Sequence, residues 1–414
     1  MQPFRQGLHP CKNHKTLPML PQQQQREHYI DWIRVLAFTI LIFFHCSMPF
    51  VSFNWEIKND EHAVFLDRLI IWLHQWRLPL LFFISGVGVN FSLRKRSVLS
   101  FFGERVVRLF IPLLFAMFFL TPLQVYFERL QKGEINGSYW SFYPTVWDFI
   151  PYPEGTLTWS HMWFVVYLFV FTILLLPVFA LFKIHTLKKL KQKTDPFFRH
   201  PLSNLSLSIP FILYYFTLFL RWPAQGSLLD DWFVFNSSIT FYFFGFFLAD
   251  LPSFWNTCEK YRNHFLTVSL VCSLILFWKY YWSVELPKQQ DTSLYVYGFF
   301  DGLQIWAIIL TAIGFGRCYL NFSNKYLVYL TSAVYPFYIL HQTIIVSVGY
   351  YIVQWNSSIF IKLIALLIAC FVLIFSLFHF LIRPFILTRI LFGLKPKQVL
   401  QTRPVSYAIR EGNT

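Results

Sequence analysis

Charge is scarce in this chain. Only 13% of its 414 residues are Asp, Glu, Lys or Arg, about half the share usual in soluble domains. That excludes an ordinary water-soluble globular protein. Several catalytic signatures are also missing. There is no GxSxG elbow, no Walker loop, no HExxH and no paired-carboxylate pattern, so those chemistries are excluded. Any chemistry must rest on histidine, arginine and Asp31 or Asp301. The six cysteines, Cys11, Cys46, Cys258, Cys272, Cys318 and Cys370, are scattered with no CxxC pair. Neither a metal site nor a disulfide framework is expected from them. No cleavable signal peptide is visible: residues 1–28 are polar, with Gln22 to Gln25 as a short low-complexity run. No internal repeat is apparent.

What the chain has in quantity is apolar sequence. Hydrophobic residues make up 56% of it, and they fall in blocks rather than in amphipathic patterns. Blocks of about 20 such residues read as membrane helices. Ten candidates follow, at 31–51, 70–91, 106–127, 161–182, 205–222, 234–250, 264–282, 297–316, 327–353 and 359–382. The expected fold is therefore all-α, a polytopic integral membrane protein of about ten transmembrane helices. The net charge of +15 invites a nucleic-acid reading, but its distribution argues otherwise. With the N-terminus inside, Lys and Arg favour the inner segments by about three to one, "LKKLKQK" at 187–193 included. This is the positive-inside pattern. It predicts an N-in, C-in topology with the bilayer as partner and no nucleic acid. The expected organisation is a flexible cytoplasmic tail at 1–28, a membrane domain at 29–390 and a cytoplasmic tail at 391–414.

Polar groups then stand out inside the spans. "YIDWIRVLAFTILIFFHC", residues 29–46, carries Arg34 and His45. Intramembrane ionisable residues are costly and usually face a cavity. Arg34 is close enough to the inner end to snorkel, whereas His45 falls in the outer half of the span. Eleven residues at about 100° each put both on one helix face, about 16 Å apart along the axis. His74 and Arg77, three apart in "WLHQWRLPLLFFISG", lie at the outer end of the second span. Arg105 and Arg108 share the spacing at the inner entrance of the third, where two guanidiniums suit phosphates or simply anchor the topology. His161 opens the fourth span from outside, and His341 sits about 15 residues into the ninth, at a depth like that of His45. The long outer loop at about 128–160 is crowded with Tyr, Trp, Phe and Pro. It reads equally as an interfacial aromatic belt or as a platform for sugar rings, with Asp148 and Glu154 as hydroxyl partners.

These residues resemble the family-3 membrane acyltransferases. Arg34 and His45, ten residues between them, look like that family's Arg/Lys-x10-His signature, and Arg105 with Arg108 looks like its Arg-x-x-Arg motif. "LFFISG" at 81–86, "MWFVVYL" at 162–168 and "YPFYILHQ" at 335–342 match its recurrent blocks. The blocks look closest to the branch holding the periplasmic-glucan succinyltransferases. The resemblance implies transfer of an acetyl or succinyl group from cytoplasmic acyl-CoA to a hydroxyl of an outward-facing glycan or other envelope molecule, in a bacterial inner membrane and without a metal. It implies essential positions for Arg34 and His45, donor binding by Arg105 and Arg108 with Arg34 nearby, and a frequent family position for His341. His74, Arg77, His161 and Trp163 are the candidates for holding substrate on the outer side. His45 is expected to act either as a general base on the acceptor hydroxyl or as a nucleophile that is itself acylated. Two rival classes stand beside this reading. One is a transporter or flippase, which also needs polar groups in the membrane; the other is a non-catalytic assembly protein. No oligomeric state follows from the sequence.

Overall fold

The computed structural model describes residues 27–223 and 226–395. Apart from their inner edges, the two expected tails at 1–28 and 391–414 lie outside the described residues. Among the described residues the regular structure is helical, and the only β feature is a single bridge between Pro151 and Leu157. Seven helices are long and apolar enough to cross a membrane: His28–Phe50, Val64–Lys95, Val98–Gln131, Ser160–Leu181, Arg262–Tyr281, Thr292–Tyr319 and Ile359–Ile382. An eighth span results if Trp232–Leu248 and Pro252–Lys260, which meet at 103°, are taken together. The count of ten and the direction across the bilayer continue to rest on the sequence.

Two expected spans differ from the helices that form, for local reasons. The stretch 205–222 is not one helix. A short 3-10 turn at Ser206–Ser208 leads into Ile209–Thr217, with Pro210 in its first turn, and Trp222-Pro223 follows its end. Pro cannot supply the N–H that a continuous helix needs. The stretch 234–250 ends because Pro252 starts a new helix at the bend. The ninth expected span does form, as Lys325–Ile352, but it is less apolar than the seven and is buried along most of its length.

Packing at the centre depends on small residues. A Cβ on Gly86 would collide with the carbonyl of Tyr242, and one on Gly245 with the carbonyl of Phe83. Val64–Lys95 and Trp232–Leu248 therefore cross backbone to backbone, the close approach that small residues permit between membrane helices. At one end of this crossing Asn90 donates to Asp250 Oδ2 at 2.7 Å, and Lys191 Nζ lies 2.9 Å from the same oxygen. Arg94 also pairs with Asp250.

The loop 51–63, between the first two helices, is fastened at several points. Lys58 Nζ donates to the carbonyls of Met48 at 3.2 Å and Phe53 at 2.8 Å, and also to Val51. The Lys58 backbone exchanges two bonds of 2.8 Å with the Gln131 side chain. Lys362 Nζ reaches Asn59 Oδ1 at 2.7 Å and the Val353 carbonyl at 2.8 Å. Asp67 Oδ1 accepts from the Ser52 amide at 2.7 Å. Loops with this many bonds hold their side chains in fixed positions.

Candidate active site

Three histidines from three helices meet in the core. His45 comes from the first helix, His341 from Lys325–Ile352, and His161 from the turn that opens Trp163–Leu181. The rings of His45 and His341 lie 4.8 Å apart, and those of His341 and His161 lie 5.2 Å apart. His341 is fully buried and His161 nearly so; His45 is partly open.

Carbonyl partners fix the tautomers. A carbonyl oxygen only accepts, so a ring nitrogen bonded to one carries the hydrogen. His341 Nδ1 lies 2.6 Å from the Tyr338 carbonyl and is protonated; its Nε2 is then a lone pair. His45 Nδ1 lies 3.0 Å from the Leu41 carbonyl and 3.3 Å from His341 Nε2, and its hydrogen serves both acceptors. His161 Nε2 donates to the Ile339 carbonyl at 3.1 Å, leaving Nδ1 to accept from Gln124 at 3.3 Å. All three assignments are mutually consistent. They leave His45 Nε2 as an unprotonated nitrogen with no protein partner among the described residues, the form a general base requires.

A polar network continues outward from this group. Gln124 Nε2 donates to Thr343 Oγ1 at 2.7 Å, and Gln124 Oε1 accepts from Ser160 at 2.8 Å. Gln342 Nε2 reaches Ser160 Oγ at 3.3 Å and Glu56 Oε1 at 2.6 Å. Glu56 sits in the fastened loop, half-buried, with Oε2 buried and unpartnered. Burial pushes its carboxyl up to about 7, and the neighbouring Glu128 adds to that. Sequence reading missed Glu56, Gln124, Ser160 and Gln342. Gln124 had a signal, an amide within an apolar span, and Gln342 adjoins His341; Glu56 had none.

On the other side of His45 stands Phe44. The Arg77 guanidinium lies over its ring at 3.6 Å, and the His74 ring stacks on it at 5.9 Å. Thus five of the residues singled out from sequence, His45, His341, His161, His74 and Arg77, form one contiguous group. Trp163 does not join it: its ring partners are Tyr167 and Phe82. Arg34 stays on the first helix, about 16 Å away along the axis, where Asp31 Oδ1 lies 3.2 Å from it.

Arg105 and Arg108 lie near each other and near Tyr335, with different close partners. Arg105 ends one helix and Arg108 lies inside the π-helical stretch Val106–Phe110 that follows, and such a widened turn alters the angle between side chains three apart. Arg105 lies over Phe101 at 4.9 Å. Arg108 donates to the Gly393 carbonyl at 3.1 Å and faces Glu104 at 3.6 Å. Glu104 also pairs with Arg96 and lies 3.7 Å from Lys395. Among the described residues no group of His, Cys, Asp and Glu has the arrangement of a metal site.

A helical membrane protein with three imidazoles packed at its centre is the class these features define. Residues 27–380 match the acyltransferase domain of acyltransferase family 3, and the chain belongs to that family: it is a membrane acyltransferase. It is similar to glucans biosynthesis protein C of Escherichia coli strain K12, at 26% identity over 353 residues, 82% of this chain and 87% of that protein. The protein of the same name from Shigella dysenteriae serotype 1 matches to the same extent. No solved structure matches the chain.

Proposed function

We propose that the protein moves an acetyl or succinyl group from cytoplasmic acyl-CoA to a hydroxyl of an extracytoplasmic glucan or related envelope glycan, with His45 as general base. The observation that carries this reading is the free His45 Nε2 beside His341 and Arg77. The glucan acceptor is suggested by the name of the curated relatives. In this reading the protein lies in a bacterial inner membrane with ten spans, and both of its ends face the cytoplasm. CoA phosphates dock near Arg105 and Arg108, with Arg34 along the path of the pantetheine arm.

The chemistry follows from the tautomers. The acceptor hydroxyl gives its proton to His45 Nε2 as its oxygen attacks the thioester carbonyl. The ring becomes an imidazolium, and its Nδ1–H stays held by the Leu41 carbonyl and the His341 lone pair. Such a bond strengthens when its donor becomes charged. As the intermediate collapses the C–S bond breaks, and the thiolate takes the proton back from Nε2. The products are an ester and free CoA thiol, with no net proton released. General-base help of this kind contributes about 10²–10⁴-fold.

Two measurements test the reading. Purified protein should release CoA thiol from acyl-CoA in a manner that depends on added glucan. Mass spectrometry should find acyl esters on envelope glycans only in cells that carry the gene. Absence of both would remove it.

A further inference from the structure

Arg77 holds a position that an ordinary structural arginine would not. It is 2% exposed, and its Nε and Nη1 have no hydrogen-bond partner. Among the described residues no carboxylate forms an ion pair with it. Among the described residues the face of Phe44 lies over it at 3.6 Å, and Tyr338 is near enough to feel its charge. A guanidinium keeps its charge and its five donors in a protein. Burying it without an anion is unfavourable, and the attraction of an aromatic face compensates only in part. The fold nevertheless places this cation against the residue that precedes His45, and its charge is among the neighbours of both His45 and His341. A group arranged so is unsatisfied in the resting enzyme and awaits a negative charge.

We propose that Arg77 is the oxyanion-stabilising catalytic residue of this enzyme. This rests on the acyl-transfer reading above. When the acceptor oxygen bonds to the thioester carbon, the carbonyl electron pair moves onto the carbonyl oxygen. The Arg77 N–H groups hold that oxyanion while His45 Nε2 holds the acceptor proton. On collapse the pair returns, the C–S bond breaks and the thiolate leaves with the proton. Arg77 thereby acts on a charge that exists only during the reaction, which is how an interaction raises kcat rather than tightening substrate binding. His74, one helical turn before it and stacked on the same Phe44 ring, helps hold the aromatic platform in place.

The test compares wild type with Arg77→Gln, Arg77→Met and Arg77→Lys, all purified in detergent. Three quantities are read: kcat for glucan-dependent thiol release, affinity for CoA, and the thermal midpoint. Gln and Met should lower kcat by at least ~10²-fold and leave CoA affinity within about threefold. Their midpoints should stay level or rise, because an uncompensated buried cation has been removed. Lys keeps the charge without the planar fork and should fall between; it also supplies the kcat reading if the neutral variants do not fold. A variant that keeps kcat but loses donor affinity would overturn the proposal, with Arg77 then gripping an anionic part of the donor. A steep fall in midpoint that Lys restores together with activity would also overturn it, in favour of a structural role. Wild type without any acyl-CoA-dependent thiol release would instead remove the acyl-transfer reading itself.

Discussion

Two kinds of polar cluster in this protein satisfy their groups in opposite ways. Around Glu104 and Asp250, cations meet carboxylates: Glu104 is shared by Arg96, Arg108 and Lys395, and Asp250 by Arg94 and Lys191. Around His45 no ion pair forms among the described residues. Neutral imidazoles are ordered by backbone carbonyls, and the one buried cation nearby, Arg77, lies on an aromatic ring. Ion pairs suit an anchor, because each charge is already answered. An unpaired cation and an unprotonated nitrogen suit catalysis, because both are unsatisfied until a reaction occurs. On the function proposed above, the histidine group is the chemical centre and the charged clusters serve fastening and docking.

The largest effect should come from His45. His45→Gln keeps hydrogen-bonding capacity and rough size but takes no proton near neutral pH. It should lower kcat by ~10²–10⁴-fold, with CoA affinity and folding nearly intact. Near-normal transfer by this variant would erase the contrast drawn above.

Next comes His341, which on the proposed mechanism positions His45 through its contact with Nδ1. His341→Phe removes the acceptor that steadies the imidazolium. A hydrogen bond to a charged group is worth ~1.5–3 kcal/mol, so kcat should fall by ~10–100-fold. His341→Gln offers a carbonyl oxygen in its place and should recover most of that loss. Equal loss in Gln and Phe would mean that His341 does something other than accept.

The charged side gives a smaller effect. Arg108 already faces Glu104 and caps Gly393, whereas Arg105 has the Phe101 ring and no carboxylate pair among the described residues. Arg105→Gln should therefore weaken CoA binding by about tenfold, the larger loss of the two. Arg108→Gln should cost less affinity and more stability. The reverse ranking, measured by CoA titration of both variants, would show that Glu104 releases Arg108 when donor arrives.

Legibility in the sequence followed regularity. His45 and His341 can be placed at matching depth because helical rise is constant, and the structure brings their rings to 4.8 Å. The bend before Pro252 and the break after Trp222 had proline signals, yet the hydropathy of those stretches favoured continuous spans. Other features had no period to read. The stack of Arg77 on Phe44 joins two helices at a distance the chain order does not encode. The π-helical stretch that begins after Arg105 and contains Arg108 leaves no mark in the residues themselves. Glu56 reaches Gln342 only because Lys58 folds its loop through three carbonyls.

Glu56 gives the smallest effect and the sharpest sign. Its carboxyl lies at about 7 in the folded protein because burial disfavours the charged form; the ordinary value is 4.5. Between those values the folded state therefore binds more protons than the unfolded state. Stability must then fall as pH rises through that window, being fully present below 4.5 and lost above about 7. Glu56→Gln fixes the group in a neutral form and keeps an oxygen for Gln342 to donate to. Wild type and variant should melt together at pH 5. At pH 8 the variant should be the more stable, by roughly 1 kcal/mol, since partial exposure of the side chain screens the effect. Thermal melts in detergent at the two pH values decide it. If wild type were instead the more stable at pH 8, the Glu56 charge would be welcome where it lies, and this edge of the histidine group would belong with the ion-paired clusters.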